Sequence, residues 1–399
     1  MFLTNLLDSI KNKTTYSDKY KTHSEAVIIS CYFNPKNSPY RLEAFKEFYE
    51  TIRHLNHAII ECVIGDSEPQ LEENANLTRI KTDSVLWHKE SLLNKIISEL
   101  PAKYKYVFWV DADVLFTNLN WLVDGVNEMK KGANIIQPFE YGIHLERGQV
   151  EPSFDYEELE GNELPNSTNK KVWRTFCANY KTNQAWTSND YNTHGHVGFA
   201  WAAKREILDA VPLFDRAFVG GADHIIAHAS AGQINCQCIN KAFSDNTHEI
   251  TRWSYEFYRQ VDGKISYVKG FLFHLWHGDI AKRQYLKRIQ EFTPISHSIR
   301  TKDANGLYVA HQGEDDYVDE YFDRREPTDD GLLTSMAIGY MTDSTLIGTM
   351  AGGNLLGAVI GEELRDLSNQ SNDFQSNDNP VCNNVDPNTG NCVDNDPFS

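Results

Sequence analysis

Short apolar runs alternate with amphipathic stretches along the first third of the chain. Ala26–Cys31 (AVIISC) is a continuous apolar run closed by Asn34-Pro35, Ala58–Ile64 is a second that ends at Gly65-Asp66, and Tyr106–Val110 is a third. Between them, Leu42–Leu55 and Ser91–Leu100 carry apolar residues at helical spacing, the latter with Leu92, Leu93, Ile96, Ile97 and Leu100 on one side. Strands alternating with helices in this way predict an α/β fold with a mostly parallel sheet flanked by helices. In such sheets ligands bind outside the carboxyl ends of the strands. Asn34, Asp66, Asp111 and Asp113 all fall at those ends, so one shared site is expected there.

Regular patterning then lapses and returns. Residues 1–24 have the spacing of a polar helical lead, and residues 138–195 have the polar, acidic and aromatic composition of an irregular insertion. Gly198–Ile207 resumes order, and Phe214–Ala229 carries a Gly220-Gly221-Ala222-Asp223 turn running into a helix. Cys236-Gln-Cys238 lacks the two-residue gap of a zinc knuckle and reads as part of a strand. Trp253–Phe273 is strand-like and aromatic; His274-Leu-Trp-His277-Gly-Asp279 follows, then a basic helix with Lys282, Arg283, Lys287 and Arg288.

The principal domain is expected to span 25–330. Beyond it, residues 331–365 are apolar but rich in small residues. The uncharged run between Asp343 and Glu362 holds 18 residues, at the lower limit for a membrane span. Gly348/Gly352 and Gly353/Gly357/Gly361 would let helices pack closely. A small Gly-rich helical element is expected, serving self-association or membrane association through 331–361; the Thr, Ser and Asn within it weigh against a true span. Residues 366–399 have the composition of a disordered acidic tail.

Composition narrows the class. The 399 residues are 41% hydrophobic and 12% aromatic, which suits a sizeable globular core and excludes wholesale disorder. The formal charge of −18 is uneven, with −8 of it in the last 69 residues. No basic stripe appears, so nucleic acid is not signalled as a partner by charge. Seven cysteines without framework spacing point to a reducing compartment. Cys382 and Cys392 bracket a Pro-Asn-Thr-Gly turn and could close a small loop under oxidising conditions. The opening Met-Phe-Leu-Thr-Asn-Leu-Leu-Asp is too short and too polar for a signal peptide, so a cytoplasmic location is expected.

Four features carry chemistry. The strand ending at Val110 runs into Asp111-Ala112-Asp113, two carboxylates one residue apart. Like charges there are costly unless a cation joins them, and hard divalent ions take oxygen ligands and share them with phosphates. A solvated Asp-rich turn would close a strand equally well. In Gly220-Gly221-Ala222-Asp223, the glycines let backbone approach a ligand, and a carboxylate beginning a helix could serve as base or simply as an N-cap. His274 and His277 could complete a Mn²⁺-type site as neutral imidazoles, and the basic run after them, with Arg283, suits a diphosphate. Lys89, in Trp87-His-Lys89-Glu, could neutralise phosphate or hold one of the Asp carboxylates, or lie on the surface.

Taken in order, these segments resemble the GT-A type glycosyltransferases, close to their family-2-like and galactosyltransferase-C-terminal-like bacterial and viral members. The resemblance spans about residues 25–325. It rests on Trp87-x-Lys89-Glu-x-Leu-Leu-Asn94, Trp109-Val-Asp111-Ala-Asp113-Val-Leu-Phe116, Gln137-Pro-Phe-Glu140, Gly198-Phe-Ala-Trp-Ala-Ala-Lys-Arg205, Gly220-Gly-Ala-Asp223, and His274-Leu-Trp-His277-Gly-Asp279 through Arg283-x-Tyr285-x-x-Arg288. It implies a GT-A (Rossmann-like) fold, a nucleoside-diphosphate sugar donor (a UDP-sugar first), Mn²⁺ or Mg²⁺, and inverting transfer to an acceptor hydroxyl, on a glycan ahead of a modified nucleobase. Metal ligands would be Asp113 and His277, with Asp111 and His274 beside them. Donor binding would involve Asp111, Asp66, Asn34, Lys89 and Arg283. Where such turns read Gly-Gly-Glu-Asp, this chain has Ala222, which leaves Asp223 as the base. Two other readings fit parts of the pattern. One is a haloacid-dehalogenase-like phosphatase with Asp111 as nucleophile, although the acidic pair it needs downstream is missing. The other is a non-catalytic carbohydrate-binding or membrane-tethered protein.

Overall fold

The apolar runs become strands because a sheet covered on both faces can bury every side chain along them. A computed structural model describes residues 20–153, 172–182, 194–243, 247–293 and 300–326. All of these belong to the unit Met1–Pro327; the Gly-rich element 331–365, the tail 366–399, and Cys382 and Cys392 lie outside the described residues. The first half comprises β1 (Ala26–Phe33), α1 (Pro39–Ile52), β2 (His57–Ile64), β3 (Leu77–Thr82), α2 (Lys89–Glu99), β4 (Tyr106–Val110), β5 (Val114–Phe116) and α3 (Trp121–Lys130). The second comprises β6 (Ile135–Gln137), β7 (Tyr141–His144), β8 (Val172–Arg174), α4 (Phe176–Thr182), β9 (Ala200–Lys204), α5 (Arg205–Ala210), α6 (Ala222–Ser230), α7 (Gln237–Phe243), α8 (Thr247–Val261), β10 (Ile265–Tyr267), β11 (Phe271–His274), α9 (Tyr285–Phe292) and α10 (Glu314–Arg325).

Seven strands form the main sheet in the order β10-β6-β9-β4-β1-β2-β3. Only β9 runs against its neighbours, β4 and β6; the remaining pairings are parallel. The mostly parallel α/β sheet expected from the alternation is therefore present. Alternate residues of β1 feed opposite layers. Val27 and Ile29 pack with Leu92, Leu93, Ile96 and Ile97 of α2, whereas Ala26 and Ile28 join Phe45 and Phe48 of α1 and Trp121 of α3. Trp121 is fully buried and stacks on Phe116 at 4.0 Å. Edge strand β3 (LTRIKT) escapes a hydrophobicity reading because Arg79 and Lys81 alternate with its buried positions, a pattern that also blunts the edge. A smaller sheet, β5-β11-β7-β8, carries His274 and His144 at the ends of neighbouring strands.

Three segments differ from their sequence reading. The first part of Trp253–Phe273, as far as Val261, is helix: Ile250, Trp253, Phe257 and Val261 recur at three- and four-residue intervals, and α8 turns them toward one core layer and its margin. Only Ile265–Tyr267 and Phe271–His274 are strand. Cys236-Gln-Cys238 is not a strand either; Cys236 ends a turn and Cys238 lies in the first turn of α7, both buried. Within 138–195 the described residues include β7, β8 and α4, so part of that stretch is regular structure.

Helix α10 is anchored by charge. Arg300 and Glu314 are both fully buried and pair bidentately, Nη1–Oε2 at 2.6 Å and Nη2–Oε1 at 2.7 Å. The guanidinium lies 3.8 Å above the Phe218 ring. Removing one partner of a buried pair strands the other charge in low dielectric, so Arg300→Met is expected to destabilise the protein by about 3–5 kcal/mol. The denaturant midpoint checks this, and a shift worth under about 1 kcal/mol would mean that the pair is of surface strength.

Candidate active site

Strand β4 delivers Asp111 and Asp113 to the carboxyl edge of the sheet, and the backbone fixes both. Asp111 N–H donates to Phe199 O at 2.7 Å, and Leu275 N–H donates to Asp113 O at 2.8 Å. Because β5 pairs antiparallel with β11, His274 stands opposite Val114, next to Asp113. His274 Nε2 lies 3.6 Å from Asp113 Oδ2, and His277 Nε2 lies 2.9 Å from the same oxygen. Phe199 adopts a left-handed backbone (φ 79°), a strained setting for a bulky residue, and its ring packs 4.9 Å from His274.

Lys89 joins this edge to the next element. As the first residue of α2, it reaches Asp111 Oδ1 at 2.7 Å and Asp223 Oδ2 at 3.0 Å. Burial alone would lower the ammonium, but Asp111, Asp223 and Glu90 outweigh it and hold Lys89 well above its ordinary value. Of the possibilities read from the sequence, holding the carboxylates is the contact present. Asp223 opens α6 after Gly220 (φ 84°) and Gly221 (φ 101°), conformations that side-chain-bearing residues rarely adopt. A Cβ at Gly220 would also meet Arg288 Nη2 at 2.8 Å. The tight turn therefore aims Asp223 back at Lys89.

The imidazoles are neutral and the surrounding guanidiniums crowded. Burial, then Arg283, pushes His274 and His277 well below the ordinary histidine value; His196 falls to about 3 from the same two causes. Arg283 stands 3.1 Å from His277 Nε2 and 3.4 Å from His274 Nε2, the same ring nitrogens that face Asp113. Arg41, Arg283 and Arg325 all lower Asp113, yet burial outweighs them and leaves it above the usual carboxylate range. Burial and then repulsion from Arg41 bring Arg325 down to about 9. Nitrogens of Arg41, Arg283, Arg288 and Arg325 are buried without a hydrogen-bond partner among the described residues, as are Asp113 Oδ1 and Asp223 Oδ1. Such orphaned groups are costly unless a ligand meets them. One carboxylate with two neutral imidazoles fits a divalent transition ion, and the free guanidinium nitrogens fit a multivalent oxyanion.

Near Asp223, Glu90 is buried and its carboxyl is pushed up to about 8, mainly by burial, with Lys89 opposing. Asp223 is also raised, first by burial and then by Asp111, against the pull of Lys89.

Two further sequence candidates stand apart from this group. Asn34 is buried, but its amide donates to Tyr32 Oη, Ser38 O and Gln70 Oε1, and its oxygen accepts from Ser38 N–H. It ties the β1 loop to the start of α1. Asp66 sits at the end of β2 with its side chain fully exposed, 3.6 Å from Lys81. Conversely, Arg41 and Arg325 carried no motif signal, and Glu90, although inside the Trp87-x-Lys89-Glu motif, was not read as a site residue. Arg41 begins its approach from α1 and Arg325 from α10, far apart in sequence, and an isolated arginine on an amphipathic helix ordinarily marks a solvated face.

No family model matches the chain, and no curated protein does. Among solved structures, S. aureus TarS 1–349 in complex with UDP-GlcNAc aligns at 10% identity and a TM-score of 0.33, over 75% of this chain and 72% of that one. The catalytic domain of Drosophila beta1,4-galactosyltransferase 7 with xylobiose aligns at 10% identity and a TM-score of 0.33, over 73% and 98%. M. tuberculosis glucosyl-3-phosphoglycerate synthase with Mg²⁺ and UDP aligns at 8% identity and a TM-score of 0.29, over 76% and 90%. Among the described residues no helix is long and apolar enough to cross a membrane.

Proposed function

We propose that this chain is a metal-dependent, inverting glycosyltransferase that moves a sugar from a nucleoside-diphosphate donor, a UDP-sugar first, to an acceptor hydroxyl. The observation carrying this is the meeting of two unsatisfied charge sets. The Asp113–His277 pair presents ligands for a divalent ion, and the buried nitrogens of Arg41, Arg283 and Arg325 crowd the same edge. A diphosphate with its cation answers both.

Asp113, His277 and His274 would hold Mn²⁺ or Mg²⁺, whose role when bound is to neutralise the departing diphosphate. Arg283 and Arg325 would grip the diphosphate oxygens as Arg forks do, relieving their mutual repulsion. Asp111 is held by Lys89 on the donor side, and Lys89 fixes the distance from that carboxylate to Asp223. Asp223 would take the acceptor hydroxyl proton on its unpartnered Oδ1, while Oδ2 stays bonded to Lys89. A carboxylate raised by burial is a better base at neutral pH, and one oriented by an ammonium presents it in a fixed direction. Glu90, protonated near neutrality, would supply the second acid that Ala222 does not, as a hydrogen-bond donor to the acceptor.

Thermal shift against UDP- and GDP-sugars, with and without Mn²⁺, tests this. One donor should stabilise the protein by about 2.7 kcal/mol at a hundredfold excess over its Kd, and only with the ion. Equal response to all donors, or none, would remove the donor site. Metal-dependent cleavage of a generic phosphate ester that is abolished in Asp111→Asn would support the phosphatase reading instead.

A further inference from the structure

A second group of metal-ligating atoms lies away from Asp113, and the proposed transfer reaction makes no use of it. His194, His224, His228 and Cys238 bring ring nitrogens and a sulfur within 4.8 Å of one another, and all four residues are buried. They are at most 6% exposed. His224 and His228 are one turn apart on α6, Cys238 lies in the first turn of α7, and His194 precedes Gly195 on the strand side. Three separate segments therefore converge on one point.

The spacing is close to that of ligands on a shared ion, with two pairs a few tenths of an ångström tighter, so binding would spread them slightly. Zn–N bonds of about 2.0–2.1 Å and Zn–S bonds of about 2.3 Å give tetrahedral edges of roughly 3.3–3.6 Å. Here His224 Nε2 is 2.9 Å from His228 Nε2, and Cys238 Sγ is 3.1 Å from His224 Nε2 and 3.5 Å from His194 Nε2. The outer contacts orient the rings correctly. His194 Nδ1 lies 2.8 Å from Gly195 O; a carbonyl can only accept, so the proton sits on Nδ1 and the Nε2 lone pair faces inward. His228 Nδ1 meets Cys236 Sγ at 3.0 Å, so its second nitrogen also has a partner outside the cluster. Metal-bound histidines are ordinarily held in this way by their second nitrogen. Gly195 (φ 97°) permits the tight path, since a Cβ there would lie 2.7 Å from Thr175 O.

We infer that His194, His224, His228 and Cys238 form a closed structural Zn²⁺ site, with Cys236 as an outer partner through His228. Binding converts the Cys238 thiol to a thiolate and releases its proton to solvent. With four protein ligands and no open position, the site is structural rather than catalytic. It clamps α6 and α7 to the segment around residue 194. His224 directly follows Asp223, so the ion holds the helix that presents the proposed base.

Metal analysis of the full chain, purified and dialysed against a weak chelator, tests the site apart from transfer. The wild type should retain about one zinc per chain, and Asp113→Asn should retain it equally. His228→Ala and Cys238→Ser should each cut zinc content at least tenfold, whereas Cys236→Ser should keep most of it. Co²⁺-exchanged wild type should show the strong visible bands of a tetrahedral site and a near-ultraviolet thiolate-to-cobalt band that Cys238→Ser lacks. The cobalt spectrum of the wild type decides the matter even where a variant fails to fold. A wild-type chain without zinc that gives no thiolate–cobalt band, or zinc undiminished in both His228→Ala and Cys238→Ser, overturns the assignment. Loss of zinc in Asp113→Asn alone would place the ion at the other cluster.

Discussion

Asp223→Asn is expected to cut transfer about 10²–10⁴-fold while leaving metal-dependent nucleotide binding in place. The substitution is nearly isosteric, and the amide oxygen can still accept from Lys89, which now stands 3.0 Å from Oδ2. What is lost is the basicity of Oδ1, the buried oxygen without a partner among the described residues. Product formation by the variant and titration of UDP in the presence of Mn²⁺ should therefore separate: the first collapses and the second does not. Undiminished transfer by this variant would sink the base assignment and shift attention to Glu90. A collapse of both together would mean that Asp223 acts by holding Lys89 in place, which Lys89→Met should then reproduce.

Asp113→Asn is expected to abolish the Mn²⁺ dependence of nucleotide binding and to lower kcat/KM about 10²–10³-fold, the scale of several kcal/mol of leaving-group stabilisation. The amide removes the charge that opposes Arg41, Arg283 and Arg325, so the cost extends beyond one ligand bond. His277→Ala should act in the same direction and more strongly than His274→Ala, because His277 Nε2 is 2.9 Å from the carboxylate and His274 Nε2 is 3.6 Å away. Metal titrations of the three variants check the ranking. A larger loss for His274→Ala would make His274 the principal imidazole, with His277 serving mainly to position Arg283.

The two expectations meet in Lys89. It holds Asp111, two residues from Asp113, and Asp223 at once, so the proposed donor edge and the proposed base share one ammonium. A side chain that the sequence left between three roles proves to be the tie between two strand and helix ends. Arg283, read from the sequence as a diphosphate contact, rests against His274 and His277. The ring nitrogens it meets are also the ones a metal would take, so in the proposed complex the guanidinium would turn from them toward the diphosphate.

How much of this was legible beforehand depends on the range of the physics involved. The strands around Ala26, Ala58 and Tyr106, the helical stretches Leu42–Leu55 and Ser91–Leu100 between them, and the turn at Gly220-Gly221 were readable because each is dictated by neighbours a few residues apart: side-chain period, apolar runs, and glycines that readily tolerate positive φ. The carboxyl-end rule then pointed to Asn34, Asp66, Asp111 and Asp113, of which the two aspartates of Asp111-Ala-Asp113 join the cluster, and ligand chemistry pointed to His274 and His277. Local rules failed where local signals mislead. Aromatic residues drew Trp253–Val261 toward strand, while their three- and four-residue spacing made a helix. The one-residue gap in Cys236-Gln-Cys238 argued against metal, and a knuckle gap is needed only when both sulfurs bind one ion. Here a single sulfur, Cys238, joins histidines from elsewhere.

By itself, then, the sequence determined the α/β alternation, the edge at which chemistry would gather, and the acidic, imidazole and glycine-turn motifs gathered there. Only the tertiary structure decided the partnerships. It set Lys89 between Asp111 and Asp223, brought Arg41 and Arg325 to Asp113 from opposite ends of the domain, and closed three histidines and a cysteine around a point 44 residues wide in sequence. The reason is physical: period and propensity act over one or two turns, whereas charge pairing and ligand convergence depend on distances that exist only after distant layers have packed.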